Sequence, residues 1–393
     1  EKAALLRLSH CQTRFSEELA QALLADLDEL HIDLLEGLVD HGLLQSSWEK
    51  EVPFMVLGSV SSLALQQADS ASLSRARQVY LRCISERAGV AKAVALEDLV
   101  AAAGTEGPVE LVYRCAIGAA VRCRRLGRME VGRGLVERWL TRDDLSSHMR
   151  VELLREAGWW HYRLEEFSHL YAVAEAAGEA AQEAGNAMML GMTWIDRAIA
   201  VGQFGRGDLS AAERCLEEAR AVLSDSGSMM RIRATWAELH HTACPEEALL
   251  VYREVAESGM GEMGLSGVFG AVELLAKKEK WAEVRVWLDR GWELLETLDS
   301  SAHEYQLQLG ELRWLLGIGD LEKAVPLSFH LIGNASGMSD PVQRVWCRIF
   351  ALGAFSKSGE EEATQDTLDW LKIRRRIPSS VQEEIDAAIA RVQ

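Results

Sequence analysis

Proline is scarce in this 393-residue sequence, which contains only 6 of them. None lies between Val109 and Cys244. Because a proline inside a helix removes a hydrogen bond and clashes with the preceding turn, this long gap predicts an unbroken run of helices. Long apolar runs are also missing. No stretch approaches the ~20 apolar residues that a membrane-spanning helix needs, so we expect no such helix.

Cysteine is the second scarce residue type. The 7 cysteines are scattered along the chain, their number is odd and no C-x-x-C pair occurs. This pattern offers neither a disulfide framework nor a recognisable zinc-binding pair. It favours reduced cysteines, and therefore a cytoplasmic location.

Basic residues are outnumbered, with 42 Lys and Arg against 60 Asp and Glu and a net charge of -18. A field of that sign repels phosphate, which argues against nucleic-acid and acidic-membrane partners. The chain also lacks the GxxxxGK[ST], GxSxG and HExxH signatures of nucleotide binding and hydrolysis. We therefore expect no enzyme activity, no catalytic residues and no cofactor.

Residues 1–68 differ in pattern from the rest of the chain. Two short helices are predicted first, the second capped by Ser16, and a third runs from about Asp28 to Asp40 and ends before Gly42. Two short extended runs around a polar turn, at residues 43–45 and 52–57, predict a hairpin. This order is that of a winged helix. DNA binding is disfavoured, because no Lys or Arg occurs from Phe15 to Glu49.

Two segments here resemble a known family. LLEGLVDHGLLQ at residues 34–45 and PFMVLGSVSSLALQQ at residues 53–67 are similar to the winged-helix segment of STAND-type signalling ATPases. In that family the segment follows a nucleotide-binding core and precedes a repeat sensor. The resemblance implies a core upstream of this chain, and it assigns no nucleotide-binding residue within it.

The remainder of the chain repeats a helical hairpin. Residues 198 to 223 show it best: a turn at Gly205 to Asp208 precedes Ala212, Leu216, Ala219 and Leu223, whose spacing puts them on one helical face. The residues aligned on the position of Ala212 are separated by steps of 35, 45, 36, 36, 40 and 39. They are Gly132, Phe167, Ala212, Ala248, Val284, Ala324 and Ala363.

A hairpin that recurs every ~34 to 40 residues is typical of tetratricopeptide-like solenoids. The resemblance lies in the turn glycines Gly127, Gly207 and Gly319 and in the bulky residues that follow the small position, Leu216, Tyr252 and Leu288. We predict an all-α fold, with a small winged-helix-like domain at 1–68 and a right-handed helical-hairpin solenoid at 69–378. A capping helix at 379–393, with Val381, Ile385, Ala388 and Ile389 inward, would shield its last apolar face.

Stacked hairpins curve, and the first helix of each lines the concave side. Arginine and tryptophan are frequent interface anchors, so those predicted to point inward are candidates for contact with an acidic protein or peptide. The opposing interpretation is packing between helices or solvated charge. The candidate partner-binding residues are Arg114, Arg124, Trp159, Trp194, Arg197, Arg233, His240 and Arg313.

One possible metal-binding cluster also occurs. His240, His241 and Cys244 fall within one helical turn, and Glu247 follows. No further ligand lies at a familiar spacing, so a structural role is favoured and no metal site is expected.

Two functions remain open. The first is a non-catalytic sensor region of a signalling protein, which binds a partner in the groove and couples it to an upstream ATPase core. The alternative is a stand-alone scaffold that docks on a separate effector such as a protease or nuclease. The sequence predicts no oligomeric state.

Overall fold

A computed structural model of the chain describes residues 1–27, 31–47, 52–90, 93–203, 207–258, 261–298, 300–335, 341–373 and 379–392. The predicted turn residues Gly205 and Arg206 and the predicted first residues of the third helix, 28–30, lie outside these ranges. Within the ranges the chain is helical apart from one pair of strands and the connecting turns. None of these helices combines the length and the apolar character that crossing a bilayer requires.

The described elements belong to two compact units, which comprise residues 1–123 with 141–145, and residues 124–140 with 146–393. Most of α7 belongs to the first unit, and its last two residues belong to the second. The elements that end within the first unit are α1 Lys2–Leu8, α2 Glu17–Leu24, α3 His31–Asp40, β1 Leu44–Ser46, β2 Phe54–Val56, α4 Gly58–Gln67, α5 Ser70–Arg87 and α6 Leu96–Ala103. They are followed by α7 Val109–Arg125, α8 Met129–Leu140, α9 Ser147–Arg163, α10 Phe167–Glu183, α11 Ala187–Gln203, α12 Leu209–Val222, α13 Ser226–His240, α14 Pro245–Glu257, α15 Gly261–Lys277, α16 Trp281–Leu295, α17 Ser301–Ile318, α18 Leu321–Ala335, α19 Pro341–Ser358, α20 Glu361–Ile373 and α21 Ser379–Val392.

The predicted caps and hairpin of the first unit are confirmed. Ser16 Oγ accepts a hydrogen bond from the Leu19 amide at 3.2 Å, and Gly42 follows α3 with φ of 67°. Strands β1 and β2 pair antiparallel. Phe15 forms an additional bridge to Phe54, with its amide donating to the Phe54 carbonyl at 2.9 Å. The α1–α2 connection therefore lies against β2, on the side opposite β1.

A buried carboxylate holds the same connection to the helices that follow. Asp98 on α6 is 1% exposed and accepts hydrogen bonds from Thr13 Oγ1 at 3.1 Å and from the Tyr80 hydroxyl at 3.3 Å. Burial raises the pKa of Asp98, although these hydrogen bonds oppose the rise. Because an unpaired buried carboxylate is costly, the Asp98 contacts fix where α5 and α6 lie against the N-terminal residues.

The second unit is a series of helical hairpins, as predicted. We call α9, α11, α13, α15, α17 and α19 the first helices, and the even-numbered helices from α8 to α20 the second helices. The predicted apolar face of α12 is confirmed, since Ala212, Leu216 and Ala219 are at most 1% exposed. The turn glycines Gly127, Gly207 and Gly319 have φ between 64° and 79°, which a residue without a Cβ adopts without strain.

The structure corrects two positions of the predicted alignment. Ala212, Ala248, Val284 and Ala324 each donate the amide hydrogen bond that closes the first turn of a second helix. In α10 that residue is Leu170, bonded to Glu166, and in α20 it is Thr364. Phe167 and Ala363 instead lie three residues and one residue earlier. The predicted alignment puts a large aromatic residue, Phe167, at a small-residue position. The observed starts of α10 and α20 show that the equivalent residues lie later in the sequence.

The first helices form the inner layer of the array. From α9 to α19 each first helix packs on the next first helix, and α19 packs on α21. Successive second helices make no comparably extensive contacts in the described parts of the chain. In a curved stack the concave layer has the shorter spacing, so the first helices lie on the concave side. The predicted inward face of α21 is confirmed for Val381, Ile385 and Ala388, each at most 6% exposed.

Candidate functional site

An ion-pair cluster joins the end of α7 to the inner layer and so connects distant parts of the sequence. Arg124 and Arg125 end α7, and Glu262 lies in the first turn of α15. Arg124 Nη1 and Arg125 Nε each donate to a different oxygen of Glu262 at 2.7 Å. We call these three residues the clasp. Three first helices, α9, α11 and α13, lie between its two ends in the sequence.

The clasp is partly shielded from water. The side chains of Arg124 and Glu262 are 21% and 24% exposed. Burial opposes ionisation of Glu262, but the Arg124 and Arg125 guanidiniums outweigh it and lower its pKa to about 2. The backbone adds to the contact, since Ser300 Oγ donates to the Arg125 carbonyl at 3.1 Å. Glu262 is therefore a carboxylate with two cationic partners from one helix end.

An aromatic side chain lies beside the clasp. The Arg124 guanidinium carbon is 5.5 Å from the Trp159 ring centroid, and that of Arg163 is 5.9 Å from it. Trp160 meets Trp159 edge-on at 4.5 Å and is itself 1% exposed. Trp160 is thus a core residue that fixes the position of Trp159 by an edge-to-face contact. The partly buried Trp159 ring makes cation–π contacts with Arg124 and Arg163.

Two further pairs link first helices to one another. Arg155 on α9 donates to Asp196 on α11 at 3.0 Å. The Tyr162 hydroxyl donates to Glu238 on α13 at 2.6 Å, so that this contact passes over α11. Burial raises the pKa of Glu238 and that of Tyr162. Together with the residues above they form what we call the inner-face cluster: Arg124, Arg155, Glu156, Trp159, Tyr162, Asp196, Glu238 and Glu262.

The cluster contains hydrogen-bonding capacity that the described residues leave unused. Arg124 Nε and Glu156 Oε2 face each other at 3.8 Å, which is an ion pair too long for a hydrogen bond. Both atoms are buried, and neither has a hydrogen-bond partner among the described residues. Burial raises the pKa of Glu156, although Arg124 and Arg155 oppose the rise. Unmade bonds at buried polar atoms are costly, so a ligand that supplied them would gain free energy here.

Three of the eight predicted residues contact residues of first helices. Arg124 and Trp159 belong to the inner-face cluster. Arg313 on α17 has its guanidinium carbon 6.0 Å from the Phe350 ring centroid of α19. Burial lowers the pKa of Arg313, and the nearby Glu273 opposes this.

Three others, Arg197, Arg233 and His240, contact second helices instead. Arg197 lies 4.6 Å from the Trp194 ring centroid and reaches the Glu175 carbonyl on α10 at 3.5 Å. Arg233 pairs with Glu254 on α14. His240 stacks on Trp236, and its Nε2 lies 3.0 Å from Glu213 on α12. The partners of Arg197, Arg233 and His240 thus lie on neighbouring second helices, and Trp194 packs against the core formed by α11, α12 and α13. Their role in binding a partner stays a prediction.

Arg114 is the eighth predicted residue. It belongs to the first unit, is 54% exposed and pairs with Glu110 one helical turn away at 3.3 Å. Such exposed pairs contribute little to stability.

Sequence reasoning missed the carboxylates and Tyr162. It treated acidic residues as solvated and looked for Arg and Trp alone. A signal was present: Arg155, Trp159 and Tyr162 recur at steps of four and three, which places them on one face of α9. Nothing in the sequence indicated that Glu262 meets a helix end 137 residues earlier.

No protein-family model matches the chain, and no curated protein matches it. Among solved structures, the chain is similar to the crystal structure of a Signal Transduction ATPase with Numerous Domains (STAND) protein with a tetratricopeptide repeat sensor from Pyrococcus horikoshii. It shares 13% sequence identity with a TM-score of 0.43, and the match covers 99% of this chain and 65% of that one. This chain thus spans 65% of the length of that protein.

Proposed function

We propose that this chain is a non-catalytic sensor region whose inner-face cluster binds an acidic segment of a protein or peptide partner. The observation that carries the proposal is the clasp with its neighbours, in which guanidiniums and a tryptophan are recessed on the concave layer. Arginine forks match carboxylates in a bidentate way, and partly desolvated sites strengthen such pairs.

Binding would proceed by exchange of partners. In the free chain, Glu262 supplies the carboxylate for Arg124 and Arg125. A carboxylate of the partner would take its place, and the unused Arg124 Nε and Glu156 Oε2 would gain hydrogen bonds. The protonated form of Glu156, favoured by burial, donates such a bond.

Exchange also provides a route for signalling. A partner that takes Arg124 from Glu262 would release Arg124 and Arg125 from α15 and shift the array towards a second arrangement. In this proposal residues 1–68 are a winged-helix-like domain, residues 69–378 the sensor array and residues 379–393 its cap. The released array would act on an ATPase core encoded upstream. The helix and hairpin order and the Phe15–Phe54 bridge support the winged-helix interpretation.

The binding test uses a defined probe, a glutamate-rich hexapeptide, and its glutamine counterpart, titrated calorimetrically into the whole chain. We expect binding of the acidic peptide alone. Trp159→Ala and Arg155→Ala should weaken it at least tenfold. Arg214→Ala, at an exposed position on the second helix α12, is the matched control and should leave the affinity unchanged.

One variant separates exchange from simple attraction. Glu262→Gln removes the competing carboxylate, so we expect it to tighten binding of the acidic peptide. Equal affinities of wild type and Glu262→Gln, or equal losses in Arg155→Ala and Arg214→Ala, would contradict the proposal. The link to an ATPase is tested by reading the gene upstream of Glu1: a phosphate loop there supports it, and its absence favours the stand-alone scaffold.

A further inference from the structure

The corner between α9 and α10 has a backbone geometry that gathers three side chains. The Glu166 amide donates to the His161 carbonyl at 2.9 Å, and the Glu165 amide donates to the Tyr162 carbonyl at 3.0 Å. Glu165 has φ of 53°, so the chain reverses through a left-handed residue. This is the Schellman arrangement of helix ends. It places the last turn of α9 directly beside the first turn of α10.

His161, Glu166 and His169 meet at this corner. His161 Nδ1 lies 2.7 Å from Glu166 Oε2. The imidazoles of His161 and His169 are stacked, with centroids 5.4 Å apart and an angle of 18° between their planes. One nitrogen or oxygen from each residue lies within 4.8 Å of the other two. Among the described residues, no second group of three such ligands was found.

We infer that these three residues form a binding site for a divalent transition metal ion of the zinc class. Two imidazoles and one carboxylate are a ligand set that Zn²⁺ accepts, with a fourth position left to water. Bonds of about 2.0–2.1 Å in a tetrahedron put ligand atoms roughly 3.3 Å apart. The nitrogen lone pairs lie in the ring planes, and the two stacked planes are nearly parallel, so one imidazole must turn for both to reach the same ion. His169 is the exposed one of the two and has the room to turn.

A neighbouring arginine also contacts the carboxylate of this site. Arg133 Nη1 lies 3.9 Å from Glu166 Oε1, and Arg133 Nε donates a hydrogen bond to Glu137. The other oxygen, Glu166 Oε2, is therefore the one left for the ion. The site is separate from the inner-face cluster: it uses the turn that joins a first helix to a second helix, and it does not depend on the proposed function.

The test is titration of Zn²⁺ into the whole chain, followed by calorimetry and by the thermal unfolding midpoint. Wild type should bind one equivalent at this site and unfold at a higher temperature with the ion, because the ion binds the folded chain. His169→Ala and Glu166→Gln should weaken this binding at least tenfold. The Glu166 side chain makes no capping hydrogen bond, so Glu166→Gln preserves the start of α10.

His148→Ala is the matched control. His148 is an exposed histidine on the same helix, 3.7 Å from the carboxylate of Glu152, and its removal should leave zinc binding unchanged. Co²⁺ in place of zinc should show d–d absorption without sulfur-to-cobalt charge transfer, which separates this site from the free cysteines. The inference is overturned by the same zinc affinity in wild type and His169→Ala, or by an equal loss in His148→Ala.

Discussion

Replacing Glu262 with glutamine tests the physical account of the clasp. A pKa lowered from 4.5 to about 2 corresponds to about 3 kcal/mol of preferential stabilisation of the ionised carboxylate in the folded chain. The side chain is 24% exposed, so solvent screening is limited. Glutamine keeps the shape of the side chain and one hydrogen-bond acceptor. The loss of unfolding free energy in Glu262→Gln should therefore not exceed about 3 kcal/mol. We expect Glu262→Gln to lower the free energy of unfolding by about 2 to 3 kcal/mol at pH 7.

The direction of the pKa shift determines how the stability difference between wild type and Glu262→Gln changes with pH. The folded pKa of Glu262 lies below the unfolded value, so its contribution is complete above the unfolded pKa of about 4.5. It decreases as the pH falls through the interval between 4.5 and about 2. The difference between wild type and Glu262→Gln should therefore be constant from pH 7 to pH 5 and shrink below that.

Urea unfolding followed by far-ultraviolet circular dichroism measures the difference at each pH. Glu217→Gln, an exposed carboxylate on α12, is the matched control and should change the unfolding free energy by less than about 0.5 kcal/mol. A Glu262→Gln effect no larger than that of the control at pH 7, or one that persists unchanged to pH 2, would refute the reasoning.

Four further substitutions test the packing of the array, each by urea unfolding at pH 7. Leu216→Ala should cost about 2 to 5 kcal/mol, because the side chain is 1% exposed and its loss leaves a cavity. Gly267→Ala should destabilise by about 1 to 3 kcal/mol, since its Cβ would lie 2.6 Å from the Ala256 backbone nitrogen. Gly134→Ala meets no atom within 4 Å and should instead stabilise by up to about 1 kcal/mol. Glu279→Gly should stabilise by about 0.5 to 1 kcal/mol, because φ at this position is 54°; unchanged stability would contradict it.

The repeat architecture could be predicted because it depends on local chemistry. A small or apolar residue at a fixed place in each second helix, such as Ala212 or Ala324, and a glycine at the turn, such as Gly319, leave their pattern in the sequence. The same reasoning misplaced Phe167, where the corner before α10 contains the left-handed Glu165 rather than a glycine. Without that glycine the start of the second helix could not be fixed to better than one turn.

The inner surface was harder to predict. Helical spacing shows which residues share a face, but it does not show whether that face meets a first helix or a second helix. Trp194 and Arg197 therefore looked equivalent to Trp159, although they pack against α10 and the α11–α13 core. The clasp was not predictable at all, because it depends on how far each hairpin rotates against the previous one, and those small rotations add up over the array.

The clasp also bears on how the array unfolds. In an open stack each hairpin interacts only with its neighbours, so the ends fray independently and unfolding spreads from one unit to the next. Arg125 and Glu262 are 137 positions apart, and their contact closes a loop that contains α8 to α14. That end of the second unit cannot fray without breaking the closure. Slow amide hydrogen exchange should therefore extend to the beginning of the array. The folding rate should be lower than expected for an array held together only by short-range contacts within each hairpin.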